Sequence, residues 1–455
     1  MPERKEKLQQ WVHCIFNAAS GKHSNSGLGK RGGTCEKKMR ISYELDNLKR
    51  IVLSVLVLVS CYSVAVAEDL WKITLVLSGI WLLADMILAR EMPSKIAWAL
   101  LLVFAVNLFS TVIHGNLDIG LLKLYAMAIV YILWCDYYCR CYTRVFVNTH
   151  LITVGLILVI QVFFQFTNPA LFGETLAGNM VNFLASDNMM CYYVLPFLML
   201  VAVAALHRKS RMDLISWILI AACLAGIVLS ASGTGMVGCF FFAGMLIICL
   251  IFGNKFRFPI TVFYVAYILF LVGVAVFSIQ DYAADFLYEV LGKSTTFTGR
   301  TFIWARVPEY IAAKPLLGYG TSGTGRAQVI WIGTDVDAQY LQNSYWSAHN
   351  YFFNILIEGG FLEFAAYVVV IVIATRALKK GVDQMIVNII SIGILSMFIL
   401  YTAEGELLGP AQYLMFLLAY YNNLFTRQKQ ARKQEIRFRE VRTRFRRRET
   451  VLRLH

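Results

Sequence analysis

A succession of long apolar segments constrains this chain more than any other feature. A helix that crosses the hydrocarbon layer of a membrane needs about 20 mostly apolar residues. The chain is 58% hydrophobic and only 15% charged, which is far more apolar than a soluble core of this length requires. The sequence therefore predicts an all-α polytopic membrane protein with about 12 transmembrane helices.

The predicted helices divide the chain into three parts. We expect a basic cytoplasmic segment over 1-50, a membrane domain over 51-425 and a basic cytoplasmic tail over 426-455. One large extracytoplasmic loop, 280-348, joins helices 9 and 10. The predicted spans are 51-67, 70-88, 96-113, 119-135, 145-166, 188-206, 214-230, 235-252, 259-279, 349-374, 384-403 and 409-425.

The distribution of basic residues predicts the orientation. The net charge is +14, but most of the 42 Lys and Arg residues fall in the two termini and in alternate loops. By the positive-inside rule, both termini are expected in the cytoplasm and the 280-348 loop outside. This pattern argues against a nucleic-acid partner. Residues 1-50 lack a signal-peptide core, and the short basic lead-in at Met39 suggests that 1-38 are either dispensable or a mispredicted start.

Cysteine and acidic residues do not form a metal-site pattern. Cys135, Cys139 and Cys141 are crowded, but no second pair or His follows at zinc spacing. Asp335 and Asp337 are interpreted as solvated turn residues. We therefore expect no metal and no cofactor.

The outer loop carries the residues with the most chemistry. Arg300 follows a glycine in TGRTFIW, at the start of an apolar helical turn. Free backbone N–H groups and a guanidinium at such a place favour phosphate. The structural alternative is an ion pair with Asp281, Asp285 or Glu289. Arg306 is a second, weaker candidate for phosphate binding.

Two further motifs complete the loop. Lys314 to Gly320, with the sequence KPLLGYG, predicts a helix stop and a sharp turn. Tyr319 is either a packed aromatic or a platform for a sugar ring. His349 and Asn350 open the predicted tenth span. The imidazole of His349, with a near-neutral pKa, is a candidate proton acceptor or an ordinary interfacial residue, and Asn350 is a candidate for substrate binding.

In this order, the motifs resemble the O-antigen ligase and O-antigen polymerase (Wzy-like) superfamily. The resemblance rests on Gly-Arg followed by Ile-Trp, Pro-Leu-Leu-Gly-Tyr-Gly, Ala-His-Asn-Tyr and Glu-Gly-Gly, all within 299-360. It implies an inverting, metal-independent glycosyltransferase of the bacterial cytoplasmic (inner) membrane. The implied donor is an undecaprenyl-pyrophosphate-linked glycan, the acceptor is a second glycan, and flippase and chain-length regulator proteins are candidate partners. Arg300 would bind pyrophosphate and His349 would be the essential histidine.

The chain departs from this family pattern in one place. Many members carry an Arg in a Ser-x-Ser-Arg step after the seventh span, where this chain has Ser-Ala-Ser-Gly-Thr-Gly over 230-235. Arg306, Lys314 or Arg326 could supply the missing charge, or the Gly-Thr-Gly backbone could bind phosphate. Pro308 is expected to interrupt any helix that runs on from Arg300.

Several functions stay open at the level of sequence. We favour a polymerase that joins lipid-linked repeat units over a ligase that transfers a glycan to a lipid or protein. A multi-span transporter is the alternative from another class, although the loop between spans 6 and 7 is short and we found no charged relay across the membrane. A non-catalytic scaffold is a third possibility. Glu404, in the last outer loop, is a candidate for binding sugar hydroxyls.

Overall fold

The computed structural model describes most of the membrane domain and part of the outer loop. The described residues are 29-62, 68-168, 184, 189-209, 211-277, 282, 299-403, 405 and 408-426. The chain divides into two compact units, 1-50 and 51-455. Asp281, Asp285, Glu289 and Glu404, together with the tail after 426, lie outside the described residues.

The described chain is almost entirely helical. The helices are α1 Gly29–Tyr62, α2 Glu68–Leu88, α3 Lys95–Ile113, α4 Ile119–Cys141, α5 Thr143–Thr167, α6 Cys191–Lys209, α7 Leu214–Leu229, α8 Gly233–Phe252, α9 Ile260–Phe277, α10 Arg300–Ala313, α11 Tyr351–Glu358, α12 Gly360–Lys379, α13 Gln384–Ala403 and α14 Leu414–Tyr420. Gly253–Lys255 and Pro410–Tyr413 are 3₁₀ turns. Strands β1 Ile330–Ile332 and β2 Ser344–Trp346 form an antiparallel pair.

Eight helices within the described residues are long and apolar enough to cross a membrane. They are Leu70–Leu88, Lys95–Ile113, Ile119–Cys141, Thr143–Thr167, Cys191–Arg208, Gly233–Lys255, Gly360–Lys379 and Gln384–Thr402. Leu214–Leu229 and Ile260–Gly273 are apolar but shorter. The prediction of an all-α polytopic membrane protein is confirmed, whereas the count of 12 spans stays a prediction.

Residues with short polar side chains begin several of the membrane helices. Ser94, Asp118 and Asp213 accept a hydrogen bond from a backbone N–H in the first turn of α3, α4 and α7, respectively. Such caps satisfy donors that the helix itself leaves unpaired. The helix starts are therefore set locally, and the apolar sequence that follows sets the length.

The predicted tenth span, 349-374, is not one helix. The structure divides it into α11 and α12 at Gly359 and Gly360. Gly360 has a φ of 66°, and a Cβ there would overlap the backbone of Leu316. The break is required because the outer loop packs directly against this turn, which an uninterrupted helix with a larger residue would block.

The expectation that Pro308 interrupts the helix after Arg300 was wrong. Helix α10 runs from Arg300 to Ala313 with Pro308 inside it. Proline removes one backbone hydrogen bond and costs about 3 kcal/mol in a helix interior. Packing of Ile303 and Val307 in the apolar core of the outer segment offsets this cost. The predicted stop at KPLLGYG is confirmed, since the helix ends at Ala313 and Gly318 and Gly320 have positive φ.

Helix α6 lies at the centre of the membrane domain. It has the largest buried share of the candidate spans, 83%. Helix α13 packs against α6 and α8, and α12 packs against α3. Helices α3 and α12 matter for the site because both carry buried polar side chains that reach the outer segment.

Candidate functional site

The outer segment from Gly299 to Glu358 has a small hydrophobic core of its own. Its members come from α10, β1, α11 and the loops between them, and include Ile303, Val307, Ile330, Ile332, Leu341, Ala348 and Ile357. Burial of apolar side chains stabilises such a unit by roughly 25 cal/mol per Å². The segment is therefore an ordered scaffold on which polar side chains take defined positions.

Trp304 connects two of the sequence motifs. Its indole Nε1 donates a 2.7 Å hydrogen bond to the carbonyl oxygen of Ala348, and its ring lies edge-on to Phe353. Trp304 is one helical turn after Arg300, so both side chains lie on the same face of α10. This contact brings Arg300 beside His349, which the sequence separates by about fifty positions.

Gly299 is needed for this approach. Its φ is 79°, and a Cβ there would lie 2.6 Å from the Tyr340 hydroxyl and 2.5 Å from a methyl carbon of Leu341. The loop between β1 and β2 thus lies directly over the start of α10. Any larger residue before Arg300 would therefore clash with this loop, which is a requirement for glycine that the sequence motif alone does not show.

His349 has a strained backbone and fixed neighbours. Its φ is 46°, in the left-handed region that non-glycine residues rarely adopt. Ala348 on one side donates its N–H to the Asn354 side chain, and Asn350 on the other side begins α11. Strain of this kind costs about 1–3 kcal/mol and is concentrated at functional sites.

Arg326 lies next to the His349 ring. Its Nη1 is 3.5 Å from His349 Nδ1, and its Nη2 is 3.2 Å from the sulfur of Met189. The carbonyl oxygen of Arg326 accepts hydrogen bonds from the Ser322 and Thr324 hydroxyls. These bonds close a tight turn that holds the guanidinium toward His349.

The electrostatic environment keeps the His349 imidazole neutral. Burial is the largest cause, and the positive charges of Arg326 and then Arg300 add to it, so the pKa of His349 lies well below its usual 6.5. A neutral ring near pH 7 has a lone pair on one nitrogen. The contact with Arg326 Nη1 matches a ring in which Nδ1 is the acceptor. Together, the three residues make a positively charged site with a proton acceptor.

A buried acid holds the Arg326 turn against the membrane helices, and sequence reasoning did not identify it as a site residue. Glu358 Oε2 accepts a 2.7 Å hydrogen bond from the Thr321 hydroxyl and a 3.4 Å bond from Asn107 Nδ2, while Oε1 accepts from the N–H of Ala327. Burial is the largest influence on Glu358 and raises its pKa from 4.5 to about 7. The Arg326 turn is thereby attached to α11 and α3.

The same polar cluster continues into the membrane domain. Asn107 Nδ2 also donates to Glu363 in α12 at 2.9 Å, and the Thr111 hydroxyl lies 3.0 Å from the Tyr125 hydroxyl of α4. Thr111 accepts from the N–H of Thr321 at 3.0 Å. Our sequence survey of charges within spans overlooked the two glutamates. The Glu-Gly-Gly motif in the sequence contains Glu358 and could have marked it as a site residue. Only the fold shows that the Glu358 carboxylate faces the turn that carries Arg326.

The other cationic candidates have different partners. Arg306 forms an exposed ion pair with Asp335 at 3.2 Å. Lys314 lies over the Tyr319 ring, 4.4 Å from its centroid. Tyr319 also packs near Tyr310, and burial is the main influence that raises its pKa. The structure brings Arg300, Arg326 and His349 together, and it gives Arg306 and Lys314 contacts elsewhere on the outer segment.

Asn350 has a structural role in this arrangement. Its side-chain oxygen accepts from the N–H groups of Phe352 and Phe353, and its Nδ2 donates to the carbonyl oxygen of Thr402. Ser232 similarly uses its hydroxyl to cap α8 by accepting from the N–H of Gly235. In the described part of the chain, no three His, Cys, Asp or Glu side chains lie close enough to hold a metal ion.

Comparisons with known proteins agree with this region. The family model described as "O-Antigen ligase" matches 218–368, which contains all three residues of the cluster and Glu358. A curated relative, "Exopolysaccharide production protein ExoQ" of Rhizobium meliloti (strain 1021), is 26% identical over 158 residues. That match covers 32% of this chain and 35% of the relative. No solved structure matches the chain. Residues 218–368 are therefore similar to the O-antigen ligase family, which agrees with the resemblance that the motifs predicted.

Proposed function

We propose that this protein is a membrane glycosyltransferase that polymerises undecaprenyl-pyrophosphate-linked oligosaccharide repeat units. The product would be a surface polysaccharide, either O-antigen, capsule or exopolysaccharide, made on the outer face of the cytoplasmic membrane. The family match and the name of the relative support a role in polysaccharide assembly at the membrane. The proposal of glycosyl transfer rests on the geometry of the site.

One observation carries the proposal: a neutral imidazole lies beside two guanidinium groups. Arg326 is 3.5 Å from His349, and Arg300 is close enough to lower the pKa of His349. Guanidinium groups match the geometry of phosphate oxygens and stay charged at all physiological pH values. The cluster therefore suits a substrate that has both a pyrophosphate and a hydroxyl to be activated.

The proposed reaction is a single displacement with inversion. The acceptor hydroxyl oxygen forms a bond to the anomeric carbon, and the bond from that carbon to the pyrophosphate oxygen breaks. The hydroxyl proton passes to Nδ1 of His349, while Arg300 and Arg326 neutralise the charge that develops on the leaving group. Arg326 moves its hydrogen bonds to the pyrophosphate, which leaves the Nδ1 lone pair available. This scheme uses positioning and charge and needs no sugar nucleotide or metal.

Arg326 supplies the second positive charge that the family pattern leads one to expect near 230-235. In the described structure, Arg306 forms an ion pair with Asp335, and the Lys314 ammonium lies over the Tyr319 ring. Of the three suggested replacements, Arg326 is the one whose guanidinium contacts His349 in the described structure. A guanidinium from the outer loop would then replace one from the seventh span.

The ligase alternative has one specific observation in its favour. The matching family model is described as an O-antigen ligase. The chemistry at the anomeric carbon would be the same, and only the acceptor would differ, being a lipid or protein in place of a second lipid-linked repeat. The cluster itself does not select between the two acceptors, so the test examines which lipid-linked intermediate accumulates.

The test compares variants in a deletion strain at matched membrane abundance. We expect Arg300→Ala, Arg326→Ala and His349→Ala to lose long surface glycan while a single lipid-linked repeat accumulates. Arg306→Ala is the matched control, because it removes an exposed guanidinium that pairs with Asp335. Long lipid-linked chains that fail to reach an acceptor would indicate a ligase. Normal glycan in all variants would contradict an enzymatic role and favour a transporter or scaffold.

A further inference from the structure

A cleft lies at the opposite end of the membrane helices from the candidate site. It occupies about 300 Å³ where the loop before α9 meets the end of α12 and the start of α13. Residues that line it include Arg257, Phe258, Leu378, Lys379, Gln384 and Ser391. The topology predicted from the basic loops places this end at the cytoplasmic surface.

Two cations lie at the cleft. Arg257 and Lys379 are exposed, and neither forms an ion pair with any residue that the structure describes. Lys255, in the 3₁₀ turn before Arg257, and Arg376 and Lys380, at the end of α12, are exposed nearby and add positive charge. Basic pockets between membrane helices are typical binding sites for anionic lipid head groups.

The loop that carries Arg257 is held in place by polar contacts. The N–H of Phe258 donates to Asn388 Oδ1 at 3.0 Å, and Asn388 Nδ2 donates to the carbonyl oxygen of Phe256 at 2.8 Å. The Phe258 ring stacks on Phe263 with a centroid distance of 4.5 Å. Arg257 is therefore fixed between two anchored residues at the mouth of the cleft.

The wall of the cleft contains a buried hydroxyl. Ser391 is 1% exposed, and its Oγ has no hydrogen-bond partner among the residues that the structure describes. Gln384, Val387 and Ser391 recur at helical spacing and line the cleft from one face of α13. A buried hydroxyl without a partner costs free energy, so a ligand with an acceptor oxygen at this depth would stabilise the site.

An apolar groove extends from the cleft along α9. Thr261 and Val262 line both the cleft and a second concavity of about 360 Å³, which continues over Val265, Ala266 and Leu269. These residues repeat at i, i+4 and i+8, so they form one face of the helix. A charged mouth that continues into an apolar groove is complementary to a molecule with an anionic head and a hydrocarbon chain.

We propose that this cleft binds one anionic phospholipid. The phosphate lies between Arg257 and Lys379, a glycerol ester oxygen accepts from Ser391, and an acyl chain follows the groove along α9. The charge of the mouth excludes a zwitterionic lipid as the preferred occupant. This site is separate from the residues of the proposed transfer reaction, and its test does not depend on that reaction.

The experiment measures lipid binding to the purified full-length protein by native mass spectrometry. The probes are phosphatidylglycerol and phosphatidylcholine with identical acyl chains. The double variant Arg257→Gln, Lys379→Gln is compared with Lys255→Gln, Lys380→Gln, which removes the same charge from the same loops outside the cleft. We expect the cleft variant to raise the phosphatidylglycerol Kd about tenfold or more relative to this control.

A third variant tests the groove without changing charge. Val262 is 63% exposed, so Val262→Trp should fold and fill the groove. We expect it to weaken phosphatidylglycerol binding. The proposal is overturned if both double variants weaken binding equally, if phosphatidylcholine binds as tightly as phosphatidylglycerol, or if Val262→Trp has no effect. Displacement of the lipid by inorganic phosphate at equal concentration would also overturn it.

Discussion

At the scale of single residues, the site depends on how Arg326 and Arg300 alter the pKa of the His349 imidazole. His349 directly precedes the residue that caps α11, and its φ of 46° is one that non-glycine residues rarely adopt. Burial and two guanidiniums then lower the pKa of the ring. The sequence motif shows the histidine but not its burial or the two guanidinium groups near it, so the sequence predicts a near-neutral pKa for His349. The fold changes that expectation to a ring that stays neutral below pH 6.5.

This environment predicts the pH dependence of transfer. Because the pKa of His349 is lowered, the rate should stay level as pH falls through 6.5 and should decline only below that value. In Arg326→Gln, the loss of a positive neighbour raises the pKa of His349 toward 6.5, so the acidic limb of the residual rate should move to higher pH. Rates in proteoliposomes between pH 4.5 and 8 measure this. Arg306→Gln is the control, and identical acidic limbs near pH 6.5 in all three proteins would contradict the prediction.

The carboxyl of Glu358 predicts a pH dependence of stability. Its pKa is raised from 4.5 to about 7, so the folded state keeps a proton that the unfolded state loses between these values. The stability that it contributes is therefore fully present below about pH 4.5 and is lost as pH rises toward 7. We expect the melting temperature of the wild type to fall more than that of Glu358→Gln between pH 5 and pH 8.

The comparison with a truncated side chain separates charge from anchoring. Glu358→Gln retains an acceptor for the Thr321 hydroxyl, whereas Glu358→Ala leaves Thr321, Asn107 and Ala327 without that acceptor. We expect only the alanine variant to lower surface polysaccharide strongly, through displacement of the Arg326 turn. Equal melting curves of wild type and Glu358→Gln at every pH would show that the carboxyl is not titrating in the folded protein.

At the scale of elements, the site depends on how closely the outer segment approaches the break between α11 and α12. The N–H groups of Tyr319 and Gly320 donate to the carbonyl oxygens of Ile357 and Glu358 at 2.7 and 2.8 Å. Ser110 of α3 donates to the carbonyl oxygens of Leu317 and Glu358. Three elements therefore meet through backbone groups, which leaves no room for side chains at the contact.

Glycine 318 provides a test of this contact. Its φ is 61°, and a Cβ there would overlap the Ile357 carbonyl oxygen. Gly115 has a similar φ of 71° but nothing within 4 Å of its Cβ position. Both alanine variants bear left-handed strain of about 1–2 kcal/mol, but only Gly318→Ala adds a steric clash. We expect membrane abundance to fall several-fold for Gly318→Ala relative to Gly115→Ala, and equal abundance would contradict the packing described here.

At the scale of the whole molecule, the alternation of basic loops predicts the orientation. We propose that both termini are cytoplasmic and that the outer segment, with Arg300 and His349, faces the opposite side. That side is where a lipid-linked glycan would be polymerised. The proposed lipid cleft lies at the other end of the helices, which separates the two sites along the membrane normal.

Labelling with a membrane-impermeant maleimide tests the orientation. Gln328 is exposed on the outer segment, so Gln328→Cys should react in intact spheroplasts. Cys141, an exposed native thiol at the end of α4, should react only after permeabilisation and is the internal control. Labelling of Cys141 but not of position 328 in intact spheroplasts would contradict the proposed topology and indicate the opposite orientation.

The sequence by itself determined the membrane class, most helix positions and the motifs that match the family. These are local properties, since span length and helix caps depend on residues close in the chain. The orientation and the roles of Arg300 and His349 stay proposals that the sequence supplied. Only the tertiary structure decided which cation lies beside His349. The sequence leaves Arg306, Lys314 and Arg326 open as alternatives, and among these three the described structure places Arg326 in contact with His349. It also decided that Glu358 anchors that turn and that Pro308 stays within a helix, since both outcomes depend on packing between segments far apart in the chain.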